Sequence, residues 1–298
     1  MGSGQNAAVP VSAPRWAAVR RRRRLRLSPT LPLLVFTVLI GVAVFAPFLT
    51  PYDPVKHSLI NSLEPPFWAT GGSIEHPLGT DGFGRDILAR LMFGARASMS
   101  VAALALAIAV AIGLTVGLVA GFVGGRVDSI LMRAADVVLA LPTILVALSV
   151  AIAVGPSFTN LVLIIGFLIW PQMARLVRGE TLLLRRSEFV RYAVAIGVPS
   201  WLIILRHVLP NLVATLVVAV TLEIGHVILL EASLSFLGAG LPPPSPSWGA
   251  MISDGRALIA TGWWIALFAG LAILLSVLTF NNLGDWLRDR LDPRLRGT

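Results

Sequence analysis

Six apolar stretches decide what this chain can become. They run over roughly Leu31–Leu49, Ser98–Val123, Ile130–Val154, Thr159–Val177, Leu212–Phe236 and Gly262–Leu283. Each is close to, or longer than, the ~20 residues that carry a helix across a bilayer. Hydrocarbon offers the backbone no hydrogen bonds, so a single apolar segment crosses it as a helix. The expected fold class is an all-α integral membrane protein with six transmembrane helices. Composition agrees: 56% of residues are hydrophobic and 13% charged, against about 25% charged in a soluble domain. Cysteine is absent, which excludes a disulfide framework, a thiolate metal site and a palmitoyl anchor.

An even number of spans places both termini on one side of the membrane. A net charge of +9 would suggest nucleic acid in a soluble protein, but here its distribution points to topology, and no nucleic-acid partner is expected. With both termini inside, 19 of the 24 Lys and Arg residues fall on the inner side. Only Lys56, Arg85, Arg90, Arg96 and Arg256 fall outside. Cytoplasmic loops carry such an excess, so both termini are expected to be cytoplasmic. The run Arg20–Arg24 reads as an anchor that meets anionic headgroups. A secretory or twin-arginine signal is the rival reading. The apolar stretch that follows is long for a signal core and lacks a convincing A-x-A site, which favours an uncleaved first span. The expected organisation is a basic, partly disordered tail (1–30), a first span with its outer segment (31–97), a five-helix core (98–284) whose inner loop covers 180–211, and a cytoplasmic tail (285–298).

Several chemistries are excluded. The only lysine is Lys56, followed by His57, so no G-x-x-x-x-G-K-[ST] phosphate loop exists and the chain is no P-loop ATPase. Neither H-E-x-x-H nor G-x-S-x-G occurs. His57, His76, His207 and His226 are scattered without metal-site spacing. No catalytic residue, metal ligand or cofactor is assigned to this chain. GTDGFGRD carries Asp81 and Asp86 among glycines, but a calcium loop needs more acidic ligands at alternate positions. A structural turn is the better reading.

Two outer segments stand out. HPLGTDGFGRDILARL (His76–Leu91) reads as a turn-rich piece followed by a short amphipathic helix. LPPPSPSWGAMISDG (Leu241–Gly255) carries three consecutive prolines and reads as a stiff, partly apolar surface element. Within the spans, Arg133 and Asp136 are three apart and read as a local ion pair. Pro142 is expected to kink the third span. Glu223 lies about 15 Å along the fifth span, near mid-membrane. An acid there must face protein or water, either lining a path or held statically by His226. Glu231 sits nearer the outer end.

On the inner side, Glu180–Ile196 reads as a helix broken by Gly197. Pro199 and Ser200 restart a second short helix, with Trp201, Ile204, Leu205 and Val208 as its apolar stripe. Leu209–Pro210–Asn211 ends it before the fifth span.

This segment resembles the cytoplasmic EAA loop of ABC-importer permeases, E-A-A, three residues, G, nine residues, I-x-L-P. Ala193, Gly197, Leu209 and Pro210 fall in register, while Arg191 and Tyr192 replace the first E and A, and His207 stands at the isoleucine. Glu188–Phe189–Val190 and Arg206–His207 match a variant that looks like the dipeptide/oligopeptide/nickel branch. HPLGTDGFGRD, EASLSFLG (Glu231–Gly238) and PPPSPSWG (Pro242–Gly249) resemble the C-type subunit of that branch. The resemblance runs from about Leu31 to Pro293. It implies the type I ABC-importer permease (MetI-like) fold, a place in a bacterial inner membrane and a role as half of a peptide translocation path. Implied partners are a second, B-type permease subunit, one or two P-loop ATPase subunits carrying ATP and Mg²⁺, an extracytoplasmic substrate-binding protein and the lipid bilayer. Glu188, Ala193, Gly197, Pro199, Ser200, Trp201, Ile204, Arg206, His207, Leu209 and Pro210 would couple to the ATPase. Glu223, His226 and Glu231 would line the path or gate. Pro243, Pro244, Trp248, Asp81 and Arg85 would contact the binding protein. The alternatives are nickel or another small solute as substrate, an ion-coupled secondary transporter, an intramembrane enzyme built on Glu223 and His226, and a loop that simply lies on headgroups.

Overall fold

The computed structural model describes residues 30–291; the arginine-rich tail and the last seven residues lie outside it. Among the described residues there is no strand, only an isolated bridge between Thr80 and Asp86. The helices are α1 (Thr30–Leu49), α2 (Ile87–Val123), α3 (Gly125–Ala140), α4 (Thr143–Val154), α5 (Phe158–Arg185), α6 (Glu188–Ala195), α7 (Ser200–Ile203), α8 (Leu209–Phe236), α9 (Trp248–Arg256) and α10 (Trp263–Leu291). Five continuous helical stretches are long and apolar enough to cross a bilayer, and α3 with α4 makes a sixth only as a bent pair. The chain is an all-helical, multi-pass membrane protein.

Three boundaries differ from expectation. The short amphipathic helix expected after Gly84 has no break behind it. Asp86 caps α2 by accepting from the Ala89 amide at 2.7 Å, and the helix then runs 37 residues, about 55 Å. It therefore projects well beyond a ~30 Å hydrocarbon core. The third span is not a kinked rod: α3 and α4 meet at 85° across Leu141–Pro142. Proline lacks an amide proton and pushes the preceding residue out of the helical region, and Leu141 is extended with ψ 141°. The helix expected over Glu180–Ile196 is divided by a turn at Arg186–Ser187 into the end of α5 and a separate α6.

The core is assembled around α2. It packs along α5 more extensively than any other pair, in parallel, because Gly113, Gly117 and Gly121 let the backbones touch. A Cβ on these glycines would come 2.5 Å from Met173 Cβ, 2.6 Å from Val177 Cβ and 2.7 Å from Thr181 Cβ respectively. Small residues four apart are the usual device for close helix contact in lipid. Helices α8 and α10 pack antiparallel, and α1 lies against α2 and α10.

At one end, residues 50–86 and α9 form a cap on the bundle. Trp264 Nε1 donates to the Thr80 carbonyl at 2.9 Å and Trp248 Nε1 to that of Leu91 at 3.0 Å. At the other end lies the α6–α7 hairpin. Its hydrophobic cluster joins Leu118 and Phe122 of α2, Val177 of α5, Val190 and Ala193 of α6, and Ile203, Val208 and Leu212.

Candidate functional site

The α6–α7 hairpin is a preformed platform. Gly197 closes α6 with φ +82°, in the left-handed region that favours glycine. The Val198 amide donates to the Ala193 carbonyl and the Gly197 amide to that of Val194, both at 3.0 Å, the paired bonds of a Schellman stop. Pro199 then caps α7 with extended backbone. The second helix does not end at Leu209–Pro210 as expected. A π turn over Ile204–Val208 carries α7 into α8, and Ser200–Phe236 is one helical stretch. The wider turn accommodates Pro210, whose ring would crowd the carbonyl four residues back in an α-helix. The Asn211 side chain donates to the His207 carbonyl at 2.6 Å.

Burial sorts the hairpin into two faces. Val190, Ala193, Ile203 and Val208 point into the bundle. Ile203, at 0% exposure, was absent from the expected stripe; its place three residues after Ser200 on the inward side was the available signal. Trp201 is 63% exposed, and Tyr192, Val194, Ile196 and Leu205 are exposed with it. Glu188, Pro199, Ser200, Arg206 and Pro210 are exposed, while Ile204, His207 and Leu209 are half-buried. The structure therefore brings the expected coupling residues together on one element, with Ala193 on its buried side and Trp201 among the apolar side chains left exposed.

The cap carries a correction. Trp248 is 1% exposed and packs against Gly94 of α2. Asp81 and Arg85 are also buried. Asp81 Oδ1 accepts from the Phe83 and Arg85 amides at 2.8 and 3.0 Å, and its Oδ2 accepts from Arg85 Nε at 2.6 Å and from Arg90. Asp254 of α9 closes the group, accepting from Arg85 at 3.3 Å and Arg90 at 3.2 Å. His76 Nδ1 lies 2.9 Å from the capping carboxylate of Asp86. Asp81, Arg85 and Arg90 form the buried part of an ionic clamp that the exposed Asp254 closes from outside, so Asp81 and Arg85 lie inside the cap and not on the outer surface where a contact with the binding protein was expected. Pro243 and Pro244 do lie on the surface.

Polar groups within the helices also differ from the simplest reading. Asp136 pairs with Arg175 of α5 at 2.5 Å, not with Arg133, and Asp128 pairs with Arg178 through two bonds at 2.5 and 2.7 Å. These two pairs fasten α3 across α5. Glu223 Oε1 is buried without a hydrogen-bond partner, and no bond joins it to His226, which is exposed on α8. Glu231 is fully buried and accepts from Ser235 Oγ at 2.7 Å. The α2–α5 glycines, Asp254 and the two α3–α5 ion pairs were not singled out from sequence. The G-x-x-x-G-x-x-x-G spacing was a visible signal for the first; the others join segments too distant in the chain to leave one.

Comparison with known proteins is consistent across the chain. Residues 113–297 match the family described as binding-protein-dependent transport system inner membrane component. The glutathione transport system permease protein of Shigella flexneri serotype 5b is 44% identical over 278 residues, covering 93% of this chain and 90% of its own. Its counterpart in Escherichia coli O6:K15:H31 is 42% identical over the same shares. A provisionally named peptide transport system permease protein of Brucella suis biovar 1 is 38% identical over 276 residues, again 93% of this chain and 90% of its own.

Proposed function

The chain belongs to the inner-membrane components of binding-protein-dependent transport systems, and within that family we propose that it forms half of the translocation path of an ABC importer for di- and oligopeptides. A second, homologous permease subunit supplies the other half. Separate P-loop ATPase subunits bind and hydrolyse ATP with Mg²⁺, and an extracytoplasmic binding protein delivers substrate to the cap. The hairpin and both termini face the cytoplasm, on the strength of the 19-to-5 cation distribution.

The observation that carries this reading is the outward apolar face of the hairpin. Trp201, Leu205, Tyr192 and Ile196 are exposed on an element whose other face is locked into α2 and α5. A rigid aromatic anchor amid aliphatic neighbours is what a protein groove recognises. Because α7 runs without a break into α8, a push on the hairpin moves a membrane helix directly. On that helix, Glu223 and His226 place polar groups near mid-membrane, His226 on an exposed face. Exposed intramembrane polar groups face protein or water rather than lipid, which fits a path shared with the second permease subunit. Relatives named for glutathione and for peptide transport support a peptide substrate.

The test is uptake into proteoliposomes holding the full complex. Dipeptide or glutathione accumulation should require ATP and the binding protein. Uptake of nickel alone would overturn the substrate, and uptake driven by an ion gradient without ATPase subunits would overturn the class.

A further inference from the structure

The turn between α5 and α6 concentrates positive charge at the edge of the hairpin. Leu182, Arg185, Arg186 and Arg191 line an open cleft of about 440 Å³. Neighbouring arginines on α5 are already neutralised, Arg178 by Asp128 and Arg175 by Asp136. Arg185, Arg186 and Arg191 pair with no carboxylate among the described residues, and neither do Glu180 and Glu188, the acids nearest in sequence. Arg185 instead lies over the Phe122 ring, 5.8 Å from its centroid, which fixes one guanidinium beside the end of α2.

We propose that this cleft binds the phosphate of an anionic phospholipid headgroup. Three planar guanidinium forks around one concavity match phosphate geometry. Like charges held this close repel unless an anion sits among them. The walls come from α5, its terminal turn and α6, and none from α7 or the π turn that carry Trp201 and Leu205. Leu182 forms one wall. Basic pockets between helices on the cytoplasmic side are where anionic lipids lodge. The inference rests on the cytoplasmic placement of this end, not on which solute is transported.

The experiment uses the purified, delipidated full-length chain and measures retained lipid by native mass spectrometry. Phosphatidylglycerol should bind saturably and phosphatidylcholine should not, and millimolar inorganic phosphate should compete only weakly. The combined Arg185→Gln, Arg186→Gln and Arg191→Gln variant should bind phosphatidylglycerol on the order of a hundredfold more weakly. Lysine at all three positions should restore most of the binding, and Arg126→Gln, at an exposed arginine outside the cleft, should leave it unchanged. The wild-type preference between lipids stands as a test even if the glutamine variant fails to fold. Equal binding of the two lipids would overturn the proposal, as would full retention by the glutamine variant. So would displacement by phosphate at concentrations that mark a free-anion site. Loss of ATPase co-purification with lipid binding intact would assign the cleft to an acidic protein surface instead.

Discussion

Trp201 and Asp81 show how differently two conspicuous residues are used. Trp201 stands 63% exposed on a fixed backbone, whereas Asp81 is 1% exposed with Arg85 and Arg90 bound to it. Removing one member of a buried ionic group leaves the others uncompensated, at a cost of about 3–5 kcal/mol. Asp81→Ala should therefore lower the thermal unfolding midpoint of the purified chain sharply, and an unchanged midpoint would show that the clamp carries no stability. The sequence suggested a structural turn at GTDGFGRD, and that is what Asp81 builds. It did not suggest that Arg85 and Trp248 are inside, because Asp254 lies 169 residues from Arg85 and only the folded cap brings them together. Glu223 is a second residue-scale test. Its carboxylate has a buried oxygen without a partner, so Glu223→Gln should slow uptake while complex yield and basal ATPase activity persist. A silent Gln variant combined with poor assembly of Glu223→Leu would make the residue structural.

Among the elements, α2 and α5 depend on backbone contact. Gly117 has Val177 Cβ 2.6 Å from where its own Cβ would stand, and overpacking a close-fitted core costs about 1–3 kcal/mol or more. Gly117→Leu should separate the helices and reduce folded yield in detergent, while Gly179→Ala, where nothing lies within 4 Å, should not. Equal yields would remove the glycine stripe from the account. The membrane-spanning helices were legible from apolar length alone; their ends were not, and α9 lies in the stretch read only as a stiff surface element. Hydropathy stops where the bilayer stops, so it missed the eleven residues by which α2 begins before Ser98 and the extension of α5 from Val177 to Arg185. It also could not tell a kink from an 85° bend at Pro142, since proline forbids a continuous helix without fixing the direction taken afterwards. The π turn before Pro210 has the same character: the proline was visible, the way the helix absorbs it was not.

For the molecule as a whole, orientation rests on cation distribution, and the absence of cysteine makes it directly measurable. Ile60 is 97% exposed in the cap, Ser245 is exposed beside Pro244, and Ile196 is 79% exposed on the hairpin. Ile60→Cys and Ser245→Cys should react with an impermeant maleimide in intact cells, and Ile196→Cys only after lysis. Labelling of Ile196→Cys in intact cells would reverse the topology. The function was legible from the hairpin motif because its Gly and Pro positions impose a backbone that helical periodicity alone does not. Which face of that hairpin turns outward emerged only with the packing of Ile203 and Val208 beneath it.

The central claim is that the outward face of the hairpin transmits ATPase motion to α8. It is tested most directly by Trp201→Ala in proteoliposomes containing the complete complex at matched yield, with uptake and substrate-stimulated ATP hydrolysis measured together. An exposed aromatic anchor truncated at a protein groove costs about 2 kcal/mol or more, so both activities should fall at least tenfold while the chain still folds and inserts. Wild-type uptake and stimulation in that variant, with the ATPase subunits still bound, would contradict the account.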